Sequence, residues 1–173
     1  MYKTMNFEYR HLLPADFAPD SRVWIYQASR PFMLSEALDL EPMLDDFVAS
    51  WASHGAPVKG FATLFFGQFI ILMADERATG VSGCSTDSSV RLIKQVEQSF
   101  GISLFDRLAL AMVVKEKIQL VPLSQVDYAI KEGFIDGDTI YFNNIVPSKE
   151  ALERHWMIPI KESWLAKKYL QSA

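Results

Sequence analysis

Residues 82–89 (SGCSTDSS) hold the residue types in this sequence best suited to chemistry, because a cysteine and several hydroxyls stand just before a helix-like segment. The helix is predicted over residues 88–100, where apolar side chains recur every three or four positions and Gly101 follows as a stop. The start of a helix leaves backbone N–H groups free and is electropositive, so it can stabilise a thiolate or hold an anion. Cys84 is therefore a candidate nucleophile or redox thiol.

Anion binding is the second function that this segment suggests. Gly83 would allow a sharp backbone bend, and four hydroxyl side chains follow that could donate to a phosphate or carboxylate: Ser85, Thr86, Ser88 and Ser89. Arg30 is a further candidate ligand residue, because a guanidinium can bind an anion with two hydrogen bonds. A small anionic ligand is thus a candidate partner.

A purely structural interpretation of the same residues stays open. Thr86 or Asp87 would then cap the helix, while the other small polar residues satisfy the turn. For Arg30, an internal ion pair with Glu36 or Asp106 is the simpler alternative. In the same way, Asp75-Glu76-Arg77 follows an apolar strand and fits either a catalytic carboxylate or a charged turn that closes a hairpin.

A cysteine nucleophile needs a base, and the sequence offers His11, His54 and His155, none of which forms a short-range motif with Cys84. The spacing of these residues matches no zinc motif, and neither a G-x-x-x-x-G-K-[ST] loop nor a G-x-G-x-x-G loop occurs. We therefore predict no metal and no cofactor, and we leave open whether the chain is an enzyme.

The composition favours a globular protein of the cell interior. Of 173 residues 50% are hydrophobic and 22% are charged, and the net charge of −4 with no basic cluster speaks against nucleic acid as a partner. The longest apolar run, residues 61–74, is interrupted at Gly67 and Gln68 and is shorter than the roughly 20 residues of a membrane helix. Since there is one cysteine and no leader-like segment, we predict a cytoplasmic location without membrane contact.

The pattern predicts a single α+β domain over residues 1–173, with a mostly antiparallel sheet of about five strands and about five helices packed on it. Residues 1–21 form an extended N-terminal segment, and strand 22–28 follows. A helix is predicted over 40–54, with Pro42 in its first turn and Gly55 as its stop.

Two hairpins are predicted to form most of the sheet. The first pairs residues 59–66 with 69–75 around Gly67-Gln68, and the second pairs residues 109–114 with 118–122. The first is apolar on both faces, as in a sheet covered on both sides or against a partner subunit. Ser124 should cap a helix that ends at about residue 132, and Ser148 should cap another that ends at residue 154. Residues 139–142 are predicted to form a strand, and residues 161–170 a last helix.

Several blocks together resemble a known family: VWIYQASRPF (23–32), SGCSTDSSVRLIK (82–94), LFDRL (104–108), YFNN (141–144) and IPIKESWLAKKYL (158–170). This is an uncharacterised family of bacterial proteins, mainly from the Bacteroidetes, that often carries the label "ABC transporter ATPase". The label conflicts with the missing phosphate-binding glycines and lysine. The resemblance implies a free-standing bacterial domain and brings no known activity or catalytic residue.

Two functions therefore remain. The first is a non-catalytic cytoplasmic domain that binds a small ligand or a protein partner, with a homodimer through its aromatic-rich surface as one form of it. The second is a cysteine-dependent enzyme that uses Cys84 on a small acyl or phosphorylated substrate.

Overall fold

The structure is a computed structural model that describes residues 5–171. Its contacts divide this part of the chain into two compact units, each made of separate stretches of sequence. The larger unit comprises Tyr9–Phe105 and Asn144–Glu153, and the smaller comprises residues 5–8, Asp106–Asn143 and 154–171. The α+β class is confirmed, whereas one domain over residues 1–173 stays a prediction.

The strands correct the expected single sheet. Within residues 5–171 they form three antiparallel sheets of three, two and four strands. Both hairpins form, but each builds its own sheet with a different third strand, and the first one turns at residues 66–68 instead of the predicted pair Gly67-Gln68. Of the predicted extended segment, residues 1–4 lie outside the described part, and the remainder contains a short 3₁₀ helix at Arg10–Leu12.

The main sheet of the larger unit is formed by three strands, β1 (Arg22–Gln27), β4 (Lys59–Phe65) and β5 (Phe69–Asp75), in the order β1-β5-β4. Strand β5 is buried at all seven positions, which agrees with the prediction of an apolar strand in a covered sheet. Phe66 and Gly67, both with positive φ, turn the chain between β4 and β5. Because β5 pairs with both β1 and β4, it lies at the centre of the sheet and β4 lies at its edge.

Helix α1 (Leu34–Ser50) begins six residues before the predicted start at residue 40, so Pro42 lies inside the helix instead of in its first turn. The early start follows from Glu36, whose carboxylate accepts the backbone N–H of Met33 at 2.8 Å. The predicted stop, Gly55, instead forms a turn with His54 between two short strands, β2 (Ala52–Ser53) and β3 (Ala56–Pro57).

Helix α2 (Gly83–Phe100) begins five residues before the predicted residue 88, and Ser82 caps it instead of Thr86 or Asp87. Its predicted stop is confirmed, because Gly101 has the left-handed conformation with φ 62°. Both α1 and α2 pack with their apolar residues against one face of the main sheet. This core includes Leu40, Leu44, Phe47, Ile70, Leu72, Leu92, Ile93 and Val96.

The sheet of the smaller unit has the order β7-β6-β8-β9. Its strands are β6 (Ala109–Val114), β7 (Lys117–Pro122), β8 (Ile140–Phe142) and β9 (Met157–Pro159). Lys115 and Glu116, both with positive φ, form the predicted turn of the β6–β7 hairpin. Strand β9 had no counterpart among the predicted elements.

The short helices follow the sequence less closely. Helix α3 (Val126–Lys131) comes after a 3₁₀ turn at Leu123–Gln125 and has no side-chain cap, so Ser124 does not cap it. Helix α4 (Lys149–His155) does use Ser148, whose hydroxyl accepts the N–H of Ala151 at 3.2 Å. The last predicted helix is instead a 3₁₀ turn at Ile160–Glu162 and a π-helical stretch at Ala166–Leu170. A helix long and apolar enough to cross a bilayer is not found among residues 5–171.

Candidate functional site

The start of α2 carries the predicted thiol on its open side. Gly83 and Cys84 are exposed in the first turn, whereas Ser85 and Ser89 are buried on the opposite side of the helix. Gly83 is helical and makes no sharp bend, so its predicted role in the backbone is wrong. The Cys84 side chain is therefore accessible to a reagent from solvent.

The hydroxyls of this segment already donate to backbone carbonyls. Those of Ser85 and Thr86 both donate to the carbonyl of Ser82, at 2.9 and 3.0 Å. Ser88 donates to the carbonyl of Cys84 at 2.9 Å, and Ser89 to that of Thr86 at 2.6 Å. An anion at the helix start would thus meet the exposed backbone of Gly83 and Cys84 before any hydroxyl proton. Anion binding by these four residues stays a prediction.

The capping of α2 is reciprocal. Ser85 Oγ accepts the N–H of Ser82 at 2.6 Å, and Ser82 Oγ accepts the N–H of Ser85 at 3.4 Å. This arrangement is a capping box with serine in place of the usual glutamate. It satisfies two backbone donors at the helix start and holds the first turn, including Cys84, in a fixed conformation.

A base for Cys84 is not in place. The thiol makes no hydrogen bond within residues 5–171, and all three histidines are exposed, on the 3₁₀ helix (His11), in the β2–β3 turn (His54) and at the end of α4 (His155). No group of three histidine, cysteine, aspartate or glutamate side chains in the described part of the chain is arranged to hold a metal ion. A nucleophilic role for Cys84 stays a prediction.

Arg30 lies at the other end of α2, where one of its N–H groups donates to the carbonyl of Phe100 at 2.9 Å. Since Phe100 follows Cys84 by 16 residues in α2, this is about 24 Å along the helix from Cys84. The guanidinium also binds both carboxylate oxygens of Glu36, at 2.7 and 2.9 Å. These hydrogen bonds lower the pKa of Glu36 to about 2. Arg30 thus forms the internal ion pair with Glu36 that was the simpler alternative to ligand binding.

Asp75 is buried at the end of β5 and serves as an anchor. Its carboxylate accepts the N–H of Ala18 at 3.0 Å and the Nε–H of Arg77 at 3.0 Å. The hydrogen bonds from Arg77, followed by those from the backbone, hold the pKa of Asp75 well below its ordinary value although burial opposes them. The carboxylate connects the segment before β1 to the main sheet, and both of its oxygens already accept hydrogen bonds.

The structure reveals a groove that the sequence analysis did not identify, between α1 and the edge strand β4. It has a volume of about 290 Å³ and is lined by Ala37, Leu40, Glu41, Leu44 and Asp45 from α1 and by Ala62, Thr63 and Leu64 from β4. Its β4 wall consists of three consecutive residues. The groove therefore runs along the backbone of the strand, where every second residue points its N–H and C=O away from β5.

Two contacts fix the direction of the groove. The N–H of Phe32, just before α1, donates to the carbonyl of Gly67 in the β4–β5 turn at 2.8 Å. At the other end, the ring of Trp51, just after α1, lies so close to Gly60 that a β-carbon on Gly60 would be 2.7 Å from Trp51 Cε3. Helix α1 therefore runs antiparallel to β4.

The charges of α1 were a signal for this groove in the sequence. The helix contains five acidic residues, Glu36, Asp39, Glu41, Asp45 and Asp46, and no lysine or arginine. Only Glu36 has an ion-pair partner within residues 5–171. Acidic residues without basic residues three or four positions away are therefore the feature of the sequence that pointed to this surface.

Comparison of the chain with protein-family models, with curated proteins and with solved structures finds no match.

Proposed function

We propose that this protein is a non-catalytic protein-binding domain that holds an extended segment of its partner in the groove between α1 and β4. The segment adds as a strand to the free edge of β4. Strand addition of this kind uses main-chain hydrogen bonds for affinity and side-chain pockets for specificity.

The observation that carries the proposal is the unused edge of β4. Within residues 5–171, the backbone of residues 60–64 makes no hydrogen bond other than those with β5. Exposed edges with unpaired N–H and C=O groups are templates for another strand unless they are covered. Helix α1 packs against β4 and forms a wall beside this edge, and the groove lies between the helix and the strand.

The walls of the groove suit a strand with alternating side chains. Ala62 and Leu64 share one face of β4 and pack against the α1 core, while Thr63 points to the other face. Each hydrogen bond added along β4 would contribute about 1 kcal/mol net, so the affinity for a segment that pairs with residues 60–64 depends on side-chain contacts as well.

A pair of proline variants tests the edge directly. Consecutive residues point their N–H groups to opposite sides of a strand, so one of Ala62→Pro and Thr63→Pro removes a free N–H and the other removes a bond to β5. The variant that keeps the unfolding midpoint of the wild type identifies the outward residue. That variant should lose binding to peptides selected from a random-sequence display library on the wild-type protein.

The result would be read from binding titrations and from amide hydrogen exchange. Bound peptide should slow the exchange of the outward amides of β4 and leave those of β1 unchanged. If no library peptide binds the folded wild-type protein, or if the stable proline variant binds as well as the wild type, strand addition at β4 is wrong.

A thiol function at Cys84 is the second candidate, supported by the exposure of this side chain on a fixed first turn of α2. It predicts that iodoacetamide alkylates Cys84 at about pH 7 faster than a free model thiol. Cys84→Ser is the control for labelling at other sites. A rate equal to or below that of the model thiol would contradict it.

The setting proposed for this domain is the bacterial cytoplasm. It is supported by the single cysteine and by the sequence blocks that resemble the bacterial family. A homodimer stays a prediction as well. The dimer would use an exposed aromatic pair of the smaller unit, Tyr128 and Phe134, whose ring centroids are 6.3 Å apart.

A further inference from the structure

We propose that the segment bound in the α1–β4 groove is cationic and carries lysine or arginine side chains that pair with Glu41 and Asp45, an inference that rests on the protein-binding function proposed above. The partner is a second protein with a basic, extended stretch.

The charges along α1 are uncompensated on the groove side. Glu41 and Asp45 are exposed, line the groove and have no ion-pair partner within residues 5–171. They stand four residues apart on the helix, a spacing at which like charges repel each other and destabilise a helix. A cation placed between them would reverse the sign of this interaction.

The same face of α1 offers apolar contact nearer its start. Leu34 and Leu38 are 78% and 61% exposed, and with Glu41 and Asp45 they follow the four-three-four spacing of one helix face. Because α1 runs antiparallel to β4, the two leucines lie beside the end of β4 near Leu64, and the two carboxylates lie beside its middle. The surface thus fits a strand with an apolar residue at one end and basic residues further along.

A second copy of this chain fits the groove poorly. If the β4 edges of two copies paired, the α1 helices of both copies would lie beside the same interface. The carboxylates of Glu41 and Asp45 from both copies, four in all, would then lie near one another. Like charges juxtaposed at an interface oppose association. The net charge of −4 on each copy adds to this repulsion. A basic partner would instead be attracted by the same charges.

The test uses the full chain and two double variants of matched charge. Glu41→Lys with Asp45→Lys reverses the groove carboxylates, while Asp39→Lys with Asp46→Lys reverses two exposed carboxylates of the same helix that do not line the groove. The probes are a peptide of about eight residues that alternates Lys and Val, its Glu and Val counterpart, and an N-methylated form of the first that cannot pair as a strand.

The expected result is that the Lys and Val peptide binds the wild type, that the groove variant weakens it about tenfold or more, and that the control variant changes it less than about twofold. The Glu and Val peptide and the N-methylated peptide should not bind measurably. Affinity should also fall as salt is raised. Equal weakening by both double variants would assign the effect to net charge and overturn the inference.

The library selection separates this inference from the proposed function. If the selected peptides bind the groove, as judged by loss of binding in the stable proline variant, but are not enriched in lysine and arginine, the cationic partner is wrong and strand addition stands. If no selected peptide depends on the β4 edge, the proposed function fails and this inference fails with it.

Discussion

The indole N–H of Trp51 donates to the backbone carbonyl of Ser85 at 2.9 Å, and so links the residue after α1 to the first turn of α2. The ring also packs against Trp24 and Phe47, with ring centroids 5.9 and 4.9 Å away. One side chain therefore joins the helix that forms the groove to the helix that carries the thiol.

Replacing Trp51 with Phe should lower the free energy of unfolding by about 1–2 kcal/mol, because the buried carbonyl of Ser85 loses the indole N–H as a donor. Urea unfolding measures the loss. Trp24→Phe is the matched control, since the indole of Trp24 donates no hydrogen bond within residues 5–171, and it should cost less. Equal losses in the two variants would contradict a role for the hydrogen bond.

Gly60 is expected to resist substitution for a steric reason. A β-carbon there would be 2.7 Å from Trp51 Cε3, closer than packed side chains allow, so Gly60→Ala should destabilise the protein by about 1–3 kcal/mol. Gly83→Ala is the control, because its β-carbon would meet nothing within 4 Å and alanine favours the helix. The control should leave the thermal midpoint unchanged or raise it. Similar losses in both variants would argue against the contact with Trp51.

Asp75 should make stability depend on acid pH. Its pKa is lower in the folded state than in the unfolded chain, so its contribution is fully present above about pH 4 and is lost as the pH falls through the lowered value. Asp75→Asn should cost about 2 kcal/mol at neutral pH and should lose less stability than the wild type on acidification. Unfolding curves at several pH values give both quantities.

Asp39→Asn is the control for this experiment, because Asp39 is exposed and has no ion-pair partner within residues 5–171. It should follow the pH dependence of the wild type. A wild-type pH dependence that survives in Asp75→Asn would place its origin in another carboxylate, with Glu36 the next candidate.

Glu36 should determine where α1 begins. Glu36→Ala removes the acceptor of the Met33 N–H and the partner of Arg30, so the first turn of α1 should fray toward the start near residue 40 that the apolar pattern alone predicts. Amide hydrogen exchange should then become faster by about tenfold or more at Met33, Ala37 and Leu38 and stay unchanged in α2. Asp39→Ala should not alter exchange there. Unchanged exchange in Glu36→Ala would show that packing, not this carboxylate, sets the helix start.

Local patterns predicted the parts of the fold that depend on local chemistry. The two main hairpins were identified because apolar runs flank short turns, and the end of α2 because Gly101 follows the last apolar position. The helix starts were missed because they depend on polar contacts. Ser82 and Ser85 extend α2 backward by reciprocal capping, and Glu36 does the same for α1.

The candidate groove could not be predicted because it depends on strand order. That β4 lies at an edge follows from the pairing of β5 with β1, residues about fifty positions apart whose contact no short-range pattern specifies. The thiol at the helix start was identified from sequence, yet the orientation of its neighbours was not. Which hydroxyls are buried and already donate is decided by the side of α2 that faces the core.

The larger unit is closed by a late stretch of chain. The hydroxyl of Tyr9 donates to the carbonyl of Leu152 at 2.6 Å, and the N–H of Val23 donates to the carbonyl of Pro147 at 3.1 Å. During synthesis on the ribosome, residues 9–105 of this unit are therefore made before residues 144–153, which complete it, and residues 106–143 of the smaller unit are made in between. Until residues 144–153 have emerged, the nascent chain therefore exposes the part of residues 9–105 that this stretch covers in the folded unit.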